Sequence, residues 1–125
     1  MIPLFKSHYS IGRSILNLSS NEEALGAENS IPLLCKKSGL KDVFLVDDSM
    51  SGFLQAYLNC QELKLNLIFG LRVTLCSDMT KKNEESRASN SKIVIFCKTS
   101  EGYKKLVKIF GEAAKDGFYY EPRLD

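Results

Sequence analysis

Four consecutive apolar residues, Val43-Phe44-Leu45-Val46, stop abruptly at Asp47-Asp48. An unbroken run of this kind, without alternation, is the pattern of a strand covered on both faces, as in parallel sheets flanked by helices. The following residues fit that reading. Turn residues at 49–52 lead into Phe53-Leu54-Gln55-Ala56-Tyr57-Leu58-Asn59-Cys60, which reads as a helix, and a further strand runs from Leu65 to Cys76. Upstream, Ile2-Pro3-Leu4-Phe5 is a short β-like run. A helix is predicted to start near Asn29 or Ser30, either of which suits a cap, with Pro32 tolerated in the first turn. It carries Ile31, Leu34 and Cys35 inward and stops at Gly39, after Lys36 and Lys37. The order βαβαβ predicts an α/β fold with parallel strands and right-handed crossovers.

The second half is less regular. Gly70 allows a bend or a close backbone approach within its strand. Residues 77–91, SDMTKKNEESRASNS, hold no apolar residue except Met79 and Ala88, and read as a mobile surface loop. Lys92-Ile93-Val94-Ile95-Phe96-Cys97 forms a fourth strand, and residues 102–116 give the clearest helix. Its stripe is Tyr103, Leu106, Val107, Phe110, Ala113 and Ala114. Ile11, Ile15, Leu16 and Leu18 belong either to a broken helical turn or to a loop packed on the core. With 125 residues, 44% of them hydrophobic, one domain over residues 1–125 is expected.

Charge and cysteines exclude several classes. Residues 1–62 carry 5 basic and 7 acidic groups (5 − 7 = −2), and residues 63–125 carry 12 and 8 (12 − 8 = +4). That field is too thin for direct nucleic-acid binding. Cys35, Cys60, Cys76 and Cys97 form no CxxC pair and each adjoins an apolar run, so they read as buried thiols in a reducing compartment. No signal peptide or membrane span is present in the sequence pattern, which points to the cytoplasm. Gly102 opens a helix without a GxGxxG or GxxxxGK[ST] arrangement, so no nucleotide cofactor is expected.

Chemistry in parallel α/β folds sits at the C-terminal ends of strands. Asp47 and Asp48 occupy such a place and suit metal or base chemistry, although adjacent residues on an extended backbone point opposite ways. With Ser49 they equally suit a turn or a cap for the helix at 53. His8 is the single histidine, which rules out a two-histidine metal clamp and leaves a loop hydrogen-bonding role. Lys104, Lys105, Lys108 and Lys115 lie off the apolar stripe and read as a solvated face.

Two segments are distinctive. Ser100-Glu101-Gly102-Tyr103-Lys104-Lys105-Leu106-Val107-Lys108-Ile109 and Gly117-Phe118-Tyr119-Tyr120-Glu121-Pro122-Arg123-Leu124-Asp125 resemble the PHP (polymerase and histidinol phosphatase) domain that opens bacterial C-family replicative DNA polymerases, the polymerase III alpha subunits. The family motifs are N–E–E–G–Y–K–N–L and G–F–Y–Y–K–P–R–V–D. Phe5 to Ser10 is similar to the family's first strand with its S–x–Y–S turn, Val43 to Gly52 to its T–D–H–G–N segment, and Leu67 to Thr74 to I–I–G–C–E–V. The resemblance covers nearly the whole chain but only the first part of the family's domain. It implies a partial distorted βα barrel with mostly parallel strands.

The same resemblance implies a degenerate metal site. The family's H–x–H pair falls on Leu4 and Lys6, and His8 falls on the variable position of the turn. The aspartate of T–D–H–G persists as Asp47 and its histidine becomes Asp48; without a gap before Gly52, Asp47 takes the histidine's place instead. The glutamate of G–C–E–V becomes Arg72. Two cations among clustered carboxylates would repel metal ions, so Arg72, with Lys6, is expected to pair with Asp47 or Asp48. The vestigial site is therefore Leu4, Lys6, Asp47, Asp48 and Arg72, with no bound metal or cofactor.

The resemblance implies a catalytically inactive domain with a structural or docking role in a replication protein. Its expected partners are the polymerase body or other replication proteins, with DNA met only indirectly through a parent polymerase. Tyr119, Tyr120 and Arg123 are docking candidates; equally, they close the bottom of the fold. The alternatives are a free-standing replication-associated binding module and a residual metal-dependent phosphoesterase. An unclosed sheet also predicts self-association, which light scattering at two concentrations tests.

Overall fold

The computed structural model describes Tyr9 and residues 13–125. The expected first strand lies outside the described residues, as do Leu4, Lys6 and His8. The strands are β1 (Asp42–Asp47), β2 (Asn66–Leu75), β3 (Ser91–Phe96) and β4 (Arg123–Leu124). The helices are α1 (Ile31–Lys37), α2 (Phe53–Glu62), α3 (Glu84–Ala88) and α4 (Ser100–Lys115). Strand order is β1-β2-β3, with β4 also paired to β2. This is the α/β arrangement the pattern predicts. β3 nevertheless joins β2 antiparallel, while β4 joins it parallel.

The described residues divide into two compact units, those up to 45 with 49–69, and residues 46–48 with 70–125. In the first, Ser30 caps α1: its Oγ accepts from the Leu33 N–H at 3.3 Å and donates to the Ser19 carbonyl at 2.5 Å. Pro32 sits in the first turn, where its missing N–H breaks no helical bond. Gly39, at φ +70°, follows the helix as predicted. The inward face differs from expectation. Leu33 is buried and Leu34 exposed, because Pro32 and Leu33 together turn toward the core. Val43, Cys60 and Leu65 form the core cluster, with Ile31, Cys35, Leu63 and Leu67 packed on it. Leu18 is also buried, and its carbonyl accepts from Asn59 Nδ2 at 2.5 Å. Ile15 and Leu16 are exposed, so that segment is a loop, tied down at Asn17, which bridges to Ser30, and at Leu18.

β1 corrects a second expectation. Its burial alternates: Val43, Leu45 and Asp47 are buried, whereas Phe44 is 65% exposed and Val46 is also exposed. An apolar run does not by itself guarantee cover on both faces.

In the second unit, residues 70–75 of β2 pair with β3 in the register Gly70↔Phe96 through Leu75↔Ser91. A Cβ on Gly70 would lie 2.7 Å from the Phe96 ring and 2.9 Å from Val94, so glycine here serves close approach, as the sequence suggests. Thr99 caps α4 by accepting from the Gly102 N–H at 3.0 Å. The helix buries Leu106 and Ala113, a narrower stripe than its periodicity predicts, since Val107 and Ala114 are exposed. Residues 77–91 contain α3, capped by Asn83 and carrying the buried Ser86, where the sequence reads only as loop.

Candidate functional site

Because side chains alternate along a strand, β1 turns Asp47, its last residue, to the same side as Val43 and Leu45, and Asp48 follows just beyond the strand end. Asp47 is 5% exposed, and its Oδ1 accepts from the Asp48 N–H at 2.7 Å, a local turn bond. Neither carboxylate caps α2, whose N-cap is Gly52 with no side-chain bond. Ser49 instead pairs with Ser51, Oγ to Oγ at 2.8 Å.

Arg72, on β2, grips Asp48 through both arms of its fork. Nε donates to Oδ1 at 2.5 Å and Nη2 to Oδ2 at 2.7 Å. This bidentate geometry orients both groups. Both side chains are about half exposed, so solvent screens the pair and its effect is chiefly to fix position. The hydrogen bond to Asp48, the charge of Asp48 and then the charge of Asp47 hold the guanidinium above its ordinary pKa. Of the sequence-derived vestigial set, Asp47, Asp48 and Arg72 thus stand at one end of β1 and in mid-β2.

The aromatic tail is built differently. Arg123 is 0% exposed and is consumed internally. Its Nε donates to the Gly117 carbonyl at 3.1 Å, Nη1 to Ser86 Oγ at 3.0 Å, and Nη2 to the Lys81 and Met79 carbonyls at 3.1 and 3.4 Å. Its guanidinium also lies 5.1 Å from the Tyr119 ring centre. Arg123 is therefore not a surface anchor. Tyr119 donates to Glu84 at 3.3 Å, and desolvation first, then the Glu84 charge, raises its pKa. Tyr120 is 67% exposed at φ +63°, edge-on to Tyr119 and under the Arg87 guanidinium at 4.6 Å. Sequence reasoning missed Ser86 and Gly117 as partners of the tail. A Cβ on Gly117 would stand 2.0 Å from the Arg123 carbonyl oxygen, which no rotamer change relieves.

The strands and helices make an α/β domain, and comparison with known proteins narrows the class. The family model described as "PHP domain" matches residues 24–125. The chain belongs to the PHP domain family. Among curated proteins it is similar to the DNA polymerase III subunit alpha of Helicobacter pylori, at 27% identity over 114 residues, 88% of this chain and 9% of that protein. The Chlamydia trachomatis protein of the same name is 32% identical over 79 residues, 62% of this chain and 6% of the relative. That of Borreliella burgdorferi is 26% identical over 93 residues, 72% and 8%. The chain spans less than a tenth of the length of these relatives.

The family implies a cluster of divalent ions, and the described donors do not suit one. Both oxygens of Asp48 accept from the Arg72 guanidinium, which sets a fixed positive charge against that carboxylate. Among the described residues, no three of His, Cys, Asp and Glu converge as metal ligands. Cys60 and Cys76 are buried thiols, Cys35 and Cys97 half-buried ones, and all four are free. Among the described residues no helix is long and apolar enough to cross a membrane.

Proposed function

We propose that this chain is a catalytically inactive PHP domain that has exchanged its ion site for a guanidinium–carboxylate pair. Its role is structural, beside the body of a C-family replicative DNA polymerase in the cytoplasm, and it meets DNA only through that polymerase. The observation that carries the reading is the two-armed hydrogen bond of Arg72 to Asp48. It supplies internally the positive charge that ions supply in a metal centre, and it does so without an exchangeable water to activate. Tyr119 and Tyr120 remain the docking candidates, since Tyr120 is held outward on a positive φ by its contacts with Tyr119 and Arg87.

The test is direct. Purified protein is incubated with a generic phosphoester and Mn²⁺, Mg²⁺ or Zn²⁺ in turn, with ion binding followed by calorimetry. Neither hydrolysis nor stoichiometric ion binding is expected. Mn²⁺-dependent hydrolysis that disappears in Asp47→Asn would overturn the reading in favour of a residual phosphoesterase.

A further inference from the structure

We propose that the cleft beside the Arg72–Asp48 pair binds a phosphate group through side-chain donors alone. This deepens the proposed function and rests on it: cations of the chain do the holding that ions would do. The cleft measures about 130 Å³, and its lining includes Asp48, Arg72, Thr74, Lys92, Phe110 and Glu121. Arg72 and Thr74 stand two residues apart on β2, hence on one face, and Lys92 lies directly across from Thr74 on β3. A guanidinium, a hydroxyl and an ammonium are thereby gathered on one strand pair.

Each has a donor to give. Arg72 spends Nε and Nη2 on Asp48, which leaves Nη1. Lys92 Nζ gives one of its three protons to Glu121, at 3.1 Å. Thr74 is only 3% exposed, yet among the described residues its hydroxyl has no hydrogen-bond partner. A hydroxyl that borders a charged cleft and has no partner within the protein has its proton to give to a ligand oxygen. Asp48 and Glu121 pin the two cations and offset their charge. Attraction at long range is therefore weak, and the site selects for an oxyanion that meets several donors at short range. A tetrahedral phosphate presents oxygens in enough directions to meet all three. Phe110 supplies an apolar wall.

The test is a titration of the isotopically labelled chain with sodium phosphate in the presence of EDTA, read by amide chemical shifts against sodium chloride at equal ionic strength. Saturable shifts at Arg72, Thr74 and Lys92 are expected, with a Kd on the order of millimolar. Lys92→Met weakens binding by about tenfold, the loss of one charge-assisted bond. Thr74→Val, of the same shape, weakens it several-fold, and spectra of both variants away from the cleft show that they are folded. A parallel arm uses 2′-deoxyadenosine 5′-monophosphate. Tighter binding than inorganic phosphate assigns the phosphate to a nucleotide, and equal binding assigns it to the free anion; both support the site. Shifts no greater than with chloride, or unchanged by both substitutions, overturn it. If phosphate binds only once Mn²⁺ replaces EDTA, this inference and the ion-free reading fall together. No binding in either condition removes this inference alone.

Discussion

Replacing Arg123 with methionine isolates what a buried guanidinium contributes when, among the described residues, it pairs with no carboxylate. The side chain is fully enclosed and makes three bonds of 3.0–3.1 Å, to Gly117, Ser86 and Lys81, and a longer one of 3.4 Å to Met79. A hydrogen bond from a charged donor contributes roughly 1.5–3 kcal/mol, so the three short bonds amount to about 4.5–9 kcal/mol. Against this, methionine avoids the several kcal/mol that burial of a cation costs. The net loss expected is about 3 kcal/mol, the size found when buried partners are left unpaired. At a melting entropy of about 2.1 cal/mol/K per residue, 125 residues convert that loss to a fall in Tm of about 11 °C. Thermal unfolding followed by circular dichroism measures it, and amide exchange in α3 should accelerate, because Ser86 loses its tie to the tail. Arg123→Lys is the control. Its single ammonium cannot reach the Gly117 carbonyl, Ser86 Oγ and the Lys81 carbonyl at once, so it should not rescue. A loss below about 1 kcal/mol for methionine, or wild-type stability for lysine, would refute the reasoning.

Two further outcomes follow from named contacts. Gly117→Ala should destabilise by about 3 kcal/mol or more in denaturant unfolding, because the new Cβ would stand 2.0 Å from the Arg123 carbonyl oxygen and neither backbone can yield without breaking the Arg123 contacts. Burial, with a smaller contribution from the nearby Cys35, pushes the Cys60 thiol from 9.0 up to about 11. A raised folded-state value means that its stabilising contribution is complete below pH 9 and fades as pH rises toward 11. Unfolding measured from pH 8 to 11 should therefore show a decline that Cys60→Ala flattens.

Much of the fold was legible because periodicity reports on burial. Leu106 and Ala113 were placed inside by helical spacing, and the close approach at Gly70 followed from a glycine inside a strand pattern. The misses have physical reasons. Leu33 and Leu34 are adjacent and chemically identical, so composition cannot decide which of them turns inward. Phe44 and Val46 belong to an apolar run whose second face depends on what other segments cover. α3 lacks an apolar stripe, and is held by a cap at Asn83 and by a guanidinium 37 residues away in sequence. Neither leaves a periodic signature.

The two arginines show where reading a site from sequence works and where it stops. Arg72 was legible because position within a strand motif assigned it, and Asp48, just past the end of β1, meets it. Arg123 looked equally suited to an interface, since arginine beside tyrosines is common at docking surfaces and nothing local says which way the side chain faces. What decides the matter is the supply of acceptors. A guanidinium with no carboxylate can be buried only where several oxygens are left over from regular structure, and residues 79–81, outside any helix or strand, provide two carbonyls of that kind. Asp125 secures the same stretch by accepting from the Met79 N–H at 3.2 Å. The irregularity that made residues 77–91 read as a mobile loop is thus what allows the tail to be fastened there. A substitution that extended α3 backward through Lys81 would turn that carbonyl into the helical ladder and weaken Arg123's hold.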